Sequence, residues 1–460
     1  MSQVESIRIH VEEMEGDVMT PIQIFQSLKG EKKCLLESSS KHEVSGRYSF
    51  ISANPYMEFV SFENEHHIKK QKQEVEIVQG KTIEVLKKLL PKIDDLPHFP
   101  FVGGAVGYLG YDIIRQYEKI GNVPSDPLNL PDAHLMFYED VCIFDHLQEK
   151  VYLVALSMGG QDNPRERVQK TKTSLENISR ANERKSFRTS TYHSNITKTA
   201  FLENVKKAKE RIKQGDIFQV VLSQRLQSSF DGDPFTFYRQ LRKLNPSPYM
   251  FYIDFSDYIV LGASPESLIK TDGETITTNP IAGTRPRGKT FEEDQALGNE
   301  LLADEKERAE HDMLVDLSRN DIGRIAKVGT VQVKKYMEVE HFQHVMHLVS
   351  EVVGELKDDI HPLDALAVSL PAGTVSGAPK IRAMSILNEL EGEKRGLYSG
   401  AVGYASFNGQ LDFALAIRTM VIKENIAYVQ AGAGIVHDSV PEKEYEETLN
   451  KAKSLLEVTS

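Results

Sequence analysis

The chain has 460 residues, 40% of them hydrophobic, and a formal net charge of −12. That length supports one large or two ordinary domains, each with a sizeable core. An acidic chain without a basic block is a poor binder of polyanions, which excludes nucleic acid and anionic membrane as natural partners and leaves a small anionic substrate in a locally positive pocket.

The first residues, MSQVESIRIHVEEMEG, carry charges throughout and lack the apolar stretch of a signal peptide. No apolar run approaches the roughly 18 residues of a membrane span. The two cysteines, Cys34 and Cys142, lie far apart with no CxxC and no histidine cluster. They read as free thiols of a reducing compartment, and the expected location is cytoplasmic. Short strands follow, such as the two apolar runs flanking a polar turn in VCIFDHLQEKVYLVALS, with a glycine-rich element in FVGGAVGYLGYD. From Gly159 to Thr197 the chain is polar and highly charged, an exposed helix in its first half and a linker in its second. The expected organisation is therefore an N-terminal region 1–158, a polar segment 159–197 and a C-terminal region 198–460.

Beyond that boundary the patterning strengthens. Phe201, Val205, Ala208 and Ile212 have helical spacing, and Gly215 is placed to end their helix. IFQVVLSQRL reads as a strand with Phe218, Val220 and Leu222 on one face. Further strands are expected in YIVLGAS, ETITTNPI, LYSGAVGYASF, LDFALAIRTMVI and IAYVQAGAGIV. Helices are expected over 291–326 with a break, 362–370, 380–391 and 442–457. Strands come in groups without alternating helices, which predicts an α+β fold with largely antiparallel sheets.

Several stretches carry chemistry. In NPIAGTRPRG, Gly283 allows close backbone approach, Thr284 adds a hydroxyl, and Arg285 and Arg287 offer planar donor forks to a carboxylate. A Pro-stiffened turn with surface arginines fits the same residues. PAGTVSGAPK fails as a phosphate loop because Ala378 and Pro379 follow Gly377, leaving a small-residue loop that runs into a helix near Lys380. Glu307 and Glu310 share a helix face, as do Glu444 and Glu447. Each pair suits an ordinary solvated acidic face, and two such helices together suit a hard cation such as Mg²⁺. Gly432 and Gly434 flank Ala433 at a strand end, Ala414, Ala416 and Arg418 share one face of a strand, and His347 and Glu266 stand in apolar surroundings and at a turn.

Taken in order, GDIFQVVLSQR, NPSPYMFY, SPES, PIAGTRPRG, AEHDMLVDLSRND, VMHLVS, PAGTVSGAPK, GAVGY, AIRTM, AGAGIV and ETLNKA resemble the chorismate-utilising enzymes, and within them the anthranilate-forming branch. LLES and GRYSFI extend the resemblance over nearly the whole chain. It implies a large α/β sandwich of two packed, mainly antiparallel sheets with helices outside. It also implies a reaction, in which chorismate and ammonia give anthranilate and pyruvate with Mg²⁺ as cofactor. The ammonia would come from glutamine through a separate amidotransferase subunit. By the same resemblance Glu266 is the general acid for the departing C4 hydroxyl, and His347 is the catalytic histidine with Thr374 beside it. Gly283, Thr284, Tyr398, Arg418, Gly432, Ala433 and Gly434 hold the substrate. Glu310 and Glu447 bind the metal with support from Glu307 and Glu444. Ser38 of the N-terminal region, with Pro248, Tyr249 and Met250, lines a site for tryptophan as feedback inhibitor, and 198–460 is the chorismate-binding catalytic region.

Two positions separate the branches of the family. Aminodeoxychorismate-forming relatives carry a nucleophilic lysine where Ala282 stands, and isochorismate-forming relatives carry a water-activating lysine where Gln219 stands. Neither residue here can do that work, so direct addition of ammonia is expected. The alternatives are an aminodeoxychorismate synthase and, in another class, a non-catalytic amino-acid sensor. A sensor would have no use for Glu266, Glu310, His347 and Glu447.

Overall fold

Alternation along single strands decides how the layers form. In Tyr249–Asp254, Met250 and Tyr252 turn to a core shared with helices, while Phe251 and Ile253 turn to a second core between two sheets. Tyr258–Ser264 repeats this, with Leu261 on the helix side and Val260 between the sheets. The computed structural model describes residues 7–38, 46–71, 73–158, 162–177, 185–342 and 345–459.

Among the described residues one sheet has 13 strands and the other 12. In the larger sheet Cys34–Glu37, Tyr249–Asp254, Tyr258–Ser264, Thr419–Lys423, Ile426–Ile435 and Gln219–Gly232 lie side by side in that order. In the smaller sheet the order is Ile281–Pro286, Val345–Glu355, Thr275–Thr278, Ser267–Asp272, Leu411–Leu415 and Ala401–Ser406. Every ladder between these strands is antiparallel. The sheets meet through large apolar side chains, and Phe50 of one and Tyr404 of the other have ring centroids 5.5 Å apart. Helices cover the outer faces, with Phe235, Leu241 and Leu455 over the larger sheet and Leu86, Val315 and Leu366 over the smaller. This is the antiparallel α+β fold that the grouping of strands predicts and the two-sheet sandwich that the resemblance implies.

Helix starts follow their caps. Thr197 caps Lys198–Lys213, Gly215 follows its end with φ 78°, and Pro441 opens Pro441–Leu456. The break expected within 291–326 falls at Asp304, between Phe291–Ala303 and Glu305–Gly323. Its carboxylate accepts from Lys306 N at 3.0 Å and Glu307 N at 3.2 Å, so the second helix begins there. Pro164–Glu176 forms a helix within the polar segment and buries Val168 and Leu175.

Two expectations need correction. LDFALAIRTMVI is two strands, not one: Leu411–Leu415 belongs to the smaller sheet and Thr419–Lys423 to the larger. The chain changes sheets at Arg418, whose φ of 50° lies in the left-handed region, so Arg418 does not share a strand face with Ala414. Phe218 precedes Gln219–Gly232 and is 73% exposed, whereas Val220 and Leu222 are buried.

Candidate active site

The site is built where Ile281–Pro286 and Val345–Glu355 of one sheet approach Thr419–Lys423 and Ile426–Ile435 of the other. The 281–286 ladder shifts register between Ala282 and Arg285. Ala282 is buried opposite Leu348. Gly283 follows with φ 68°, and a Cβ there would stand 3.0 Å from Leu301 Cδ1 and 3.2 Å from Glu307 Oε2. Glycine is required at this position on both counts. The irregular strand brings Gly283 O to 2.7 Å and Thr284 Oγ1 to 3.2 Å from His347 Nδ1. A carbonyl only accepts, so Nδ1 carries the proton and Nε2 keeps its lone pair. Burial pushes the His347 pKa down, and the charges of Arg418 and Lys451 push the same way, against the Gly283 contact. The imidazole is therefore neutral near pH 7 and offers a base or acceptor at Nε2.

Arg285 and Arg287 do not serve as free forks. Arg285 donates to Glu300 at 3.0 Å and Asp304 at 2.8 Å, and Arg287 grips Asp294 and the Phe342 carbonyl. They fasten the glycine-threonine turn to the two following helices.

Glu266 lies between Tyr258–Ser264 and Ser267–Asp272 and is 8% exposed. Thr374 Oγ1, in the short Gly373–Ser376 helix, donates to its Oε1 at 2.8 Å. Burial pushes the Glu266 carboxyl up to about 7, opposed by the Thr374 hydrogen bond and the charge of Lys451. At neutral pH a large fraction is protonated, as a general acid requires.

Carboxylates from two helices flank the end of Ile426–Ile435. Gln219 Nε2 donates to Glu310 Oε1 at 2.9 Å, and a Cβ on Gly434 would meet that nitrogen at 2.7 Å. Lys451 Nζ lies 2.7 Å from Glu447 Oε1 and donates to Gly432 O at 3.0 Å. Glu310 and Glu447 thus border the same three residues, 432–434. These residues continue the strand rather than forming a turn. Ala433 is wholly buried opposite Leu222, so it can offer a ligand only its backbone. Gly432 leaves room for the Tyr398 hydroxyl, which a Cβ would meet at 2.7 Å. Burial lowers the Arg418 pKa to about 10 against the charges of Tyr398 and Glu447. Its guanidinium makes no salt bridge among the described residues. A half-buried cation without such a partner suits an anionic ligand.

Burial raises the Glu307 carboxyl, and the charge of Glu310 raises it further. Glu444 is raised first by burial and then, beyond an opposing Ser439 hydrogen bond, by the charge of Glu447. In each pair the charge of one carboxylate raises the other, a repulsion that a divalent cation would relieve. No group of three or more metal-ligating side chains gathers among the described residues. A hard cation held by one or two carboxylates and completed by water and substrate oxygens needs no larger cage.

The residues singled out by resemblance therefore converge: Glu266 with Thr374, His347 with Gly283 and Thr284, and Arg418, Tyr398, Glu310 and Glu447 around 432–434. Sequence reading missed Lys451 as a site residue and missed Arg395 altogether. Arg395 is 3% exposed, donates to Val375 O, Val221 O and both oxygens of Glu391, and lies over the Tyr398 ring at 5.5 Å. It ties the Thr374 loop to Tyr398. Nothing in EKRGLYSG distinguishes it from a surface arginine, whereas the spacing of Lys451 one turn beyond Glu447 was a usable signal.

The four remaining residues lie elsewhere. Cys34–Glu37 pairs with Tyr249–Asp254, which sets Glu37 opposite Met250 and brings Ser38 beside Pro248 and Tyr249. Ser38 Oγ is buried without a hydrogen-bond partner among the described residues. Tyr249 donates to Asp412 at 2.9 Å and stands opposite Ser264, whose Oγ accepts from Glu266 N at 3.4 Å.

Comparisons with known proteins agree on one group. A family model described as chorismate binding enzyme matches residues 31–457. Anthranilate synthase component 1 of Acetivibrio thermocellus is 48% identical over 96% of this chain and 93% of its own. The crystal structure of anthranilate synthase component I from Streptococcus pneumoniae superposes with a TM-score of 0.84 at 44% identity, covering 96% of this chain and 98% of that one. The menaquinone-specific isochorismate synthase of Escherichia coli, at 19% identity and a TM-score of 0.77 over 99% of this chain and 95% of its own, shares the fold.

Proposed function

The chain belongs to the chorismate-binding enzymes, and from that premise we propose that it carries out the anthranilate synthase component I reaction, turning chorismate and ammonia into anthranilate and pyruvate for tryptophan synthesis. The observation that carries this reading is a buried Glu266, its pKa raised to about 7, in the same site as a neutral His347 and an Arg418 guanidinium that makes no salt bridge among the described residues.

Arg418, the Gly432 and Gly434 backbone and the Tyr398 hydroxyl clamp the anionic substrate, with Gly283 and Thr284 on the opposite wall. Glu266 gives its proton to the C4 hydroxyl as the C–O bond breaks, because hydroxide itself is a poor leaving group. Ammonia adds at C2. With alanine at 282 and an amide at 219, no side chain there forms a covalent adduct or activates water in its place. His347 Nε2, kept unprotonated, orients substrate or accepts the C2 proton as pyruvate departs. Glu310 and Glu447 are the residues that would hold Mg²⁺, with Glu307 and Glu444 in support; bound there, the ion neutralises the ring carboxylate and favours attack on the ring.

The ammonia source in this proposal is a glutamine amidotransferase partner. Tryptophan acts as inhibitor in the pocket of Ser38, Pro248, Tyr249 and Met250, and the Tyr249–Ser264–Glu266 contacts supply a physical link to the chemistry. No helix among the described residues is long and apolar enough to cross a membrane. Cys34 and Cys142 are free and buried, which supports a cytoplasmic location.

Incubation with chorismate, Mg²⁺ and ammonium salt tests the reading: anthranilate fluorescence is the expected result. Accumulation of aminodeoxychorismate would assign the sister reaction, and absence of turnover would assign the sensor.

A further inference from the structure

A general acid that is 8% exposed must still recover its proton after every turnover. Thr374 occupies Oε1 of Glu266, and Oε2 has no hydrogen-bond partner among the described residues. A cavity of about 450 Å³, counting the solvent at its mouth, opens beside Glu266 and extends along the Glu305–Gly323 helix to Asp321. Between the two carboxyls its wall carries the hydroxyls of Thr374, Ser369, Thr278 and Ser318. Ser369 and Thr278 donate to the carbonyls of Ala365 and Leu268, which leaves their oxygen lone pairs to receive water. Leu314 and Leu317 form the apolar part of the wall. These hydroxyls and the two carboxyls give a water in the part-open cavity the polar partners it would need.

Asp321 stands toward the outer end, its side chain 17% exposed and its Oδ2 bonded to Lys380 Nζ at 2.7 Å. Arg324 is the other charge that acts on it. Among the described residues Lys451 is the charged group that acts on Glu266. The SRND stretch containing Asp321 has no part in the substrate or metal contacts described above.

We propose that this cavity is the route by which Glu266 regains its proton, with Asp321 as the outer group that exchanges protons with solvent. The inference rests on the anthranilate-forming reading, in which Glu266 is the acid. The steps balance: one proton leaves Glu266 as the C4–O bond breaks and the hydroxyl departs as water. A C2–N bond forms, and the nitrogen sheds one proton to solvent. The Glu266 carboxylate takes one proton from cavity water, and Asp321 replaces it from bulk. Burial raises the Asp321 pKa toward that of Glu266, which helps a group that must both gain and release a proton, while Lys380 holds it down.

Asp321 is a positioning and relay residue rather than a group that touches substrate. In the full chain, Asp321→Asn is expected to lower kcat for anthranilate by about tenfold in weak buffer, while kcat/KM for chorismate stays within about twofold. The solvent isotope effect on kcat rises, and added imidazole restores kcat in a saturable way. Ser318→Val, which crowds the cavity without altering either carboxyl, is expected to show the same rescuable loss with unchanged thermal unfolding. Unchanged kcat in both variants, or a joint fall of kcat and kcat/KM that imidazole does not restore, overturns the proposal. If the unaltered protein makes no anthranilate, the functional reading fails first and this one with it.

Discussion

Thr374 Oγ1 donates to Glu266 Oε1 at 2.8 Å, and among the described residues it is the only side-chain hydrogen bond that Glu266 receives. The bond favours the charged carboxylate and so opposes the burial that lifts the pKa to about 7. Thr374→Val removes it. The Glu266 pKa should then rise, the acid should stay protonated to higher pH, and the alkaline limb of the kcat/KM profile should move upward. A limb that moves down, or not at all, would detach Thr374 from the acid.

The same shift makes Glu266 a cost to stability. Its folded pKa, about 7, lies above the ordinary 4.5. Between those values the folded state binds the proton and the unfolded state does not, so stability falls as pH rises through that window. Glu266→Gln removes the penalty while abolishing general-acid chemistry. It should be more stable than the unaltered chain above that window by on the order of 3 kcal/mol, with no gain below it, measured by denaturant unfolding across pH. Equal stability at both ends would contradict the buried, raised carboxyl.

His347 should titrate below an ordinary histidine and stay neutral as the Nδ1–H tautomer, because Gly283 O faces that nitrogen at 2.7 Å. Nitrogen-15 chemical shifts of a histidine-labelled sample check this directly. A protonated ring at neutral pH, or an Nε2–H tautomer, would remove His347 as a base at Nε2.

Glu310→Gln keeps the shape of the side chain and its contact with Gln219 but drops the charge. Mg²⁺ affinity, read by calorimetry, should fall by at least about tenfold and turnover should be lost, while circular dichroism is unchanged. Full activity with unaltered metal affinity would take Glu310 out of the metal site.

Ser38→Arg puts a large cation where the buried Ser38 hydroxyl has no hydrogen-bond partner among the described residues. Tryptophan inhibition should weaken by about tenfold or more, with kcat for anthranilate little changed. Undiminished inhibition would place the inhibitor elsewhere.

What the sequence made legible follows from range. Helices announced themselves locally, through the spacing of Phe201, Val205, Ala208 and Ile212 with Gly215 beyond, and through Pro362 at a first position. The break at Asp304 was expected only as a break, since the same carboxylate also serves Arg285, a contact across 19 residues. Apolar alternation placed Val220 and Leu222 on one face, but alternation carries no record of which strand lies alongside. The crossing between sheets at Arg418 left no trace, because its positive φ falls on a residue that ordinarily avoids it. For the site, spacing alone paired Glu307 with Glu310 and Glu444 with Glu447. That the two helices flank Gly432–Gly434 came first from resemblance and then from the fold. Arg395 was invisible because its value lies in the carbonyls of Val375 and Val221, which the fold brings to it from other segments.

The pairing of Cys34–Glu37 with Tyr249–Asp254 also sets a timetable for the nascent chain. The apolar CLLE strand can pair early with Tyr48–Ser52 on one side, but it leaves the ribosome about 200 residues before its partner on the other side exists. At about 5–20 residues per second, that is a wait of roughly 10–40 s with an unsatisfied edge. Throughout that interval the emerging polypeptide displays a sticky ribbon to its crowded neighbourhood, so chaperone capacity, more than the stability of the finished enzyme, should set how much of it a cell can make.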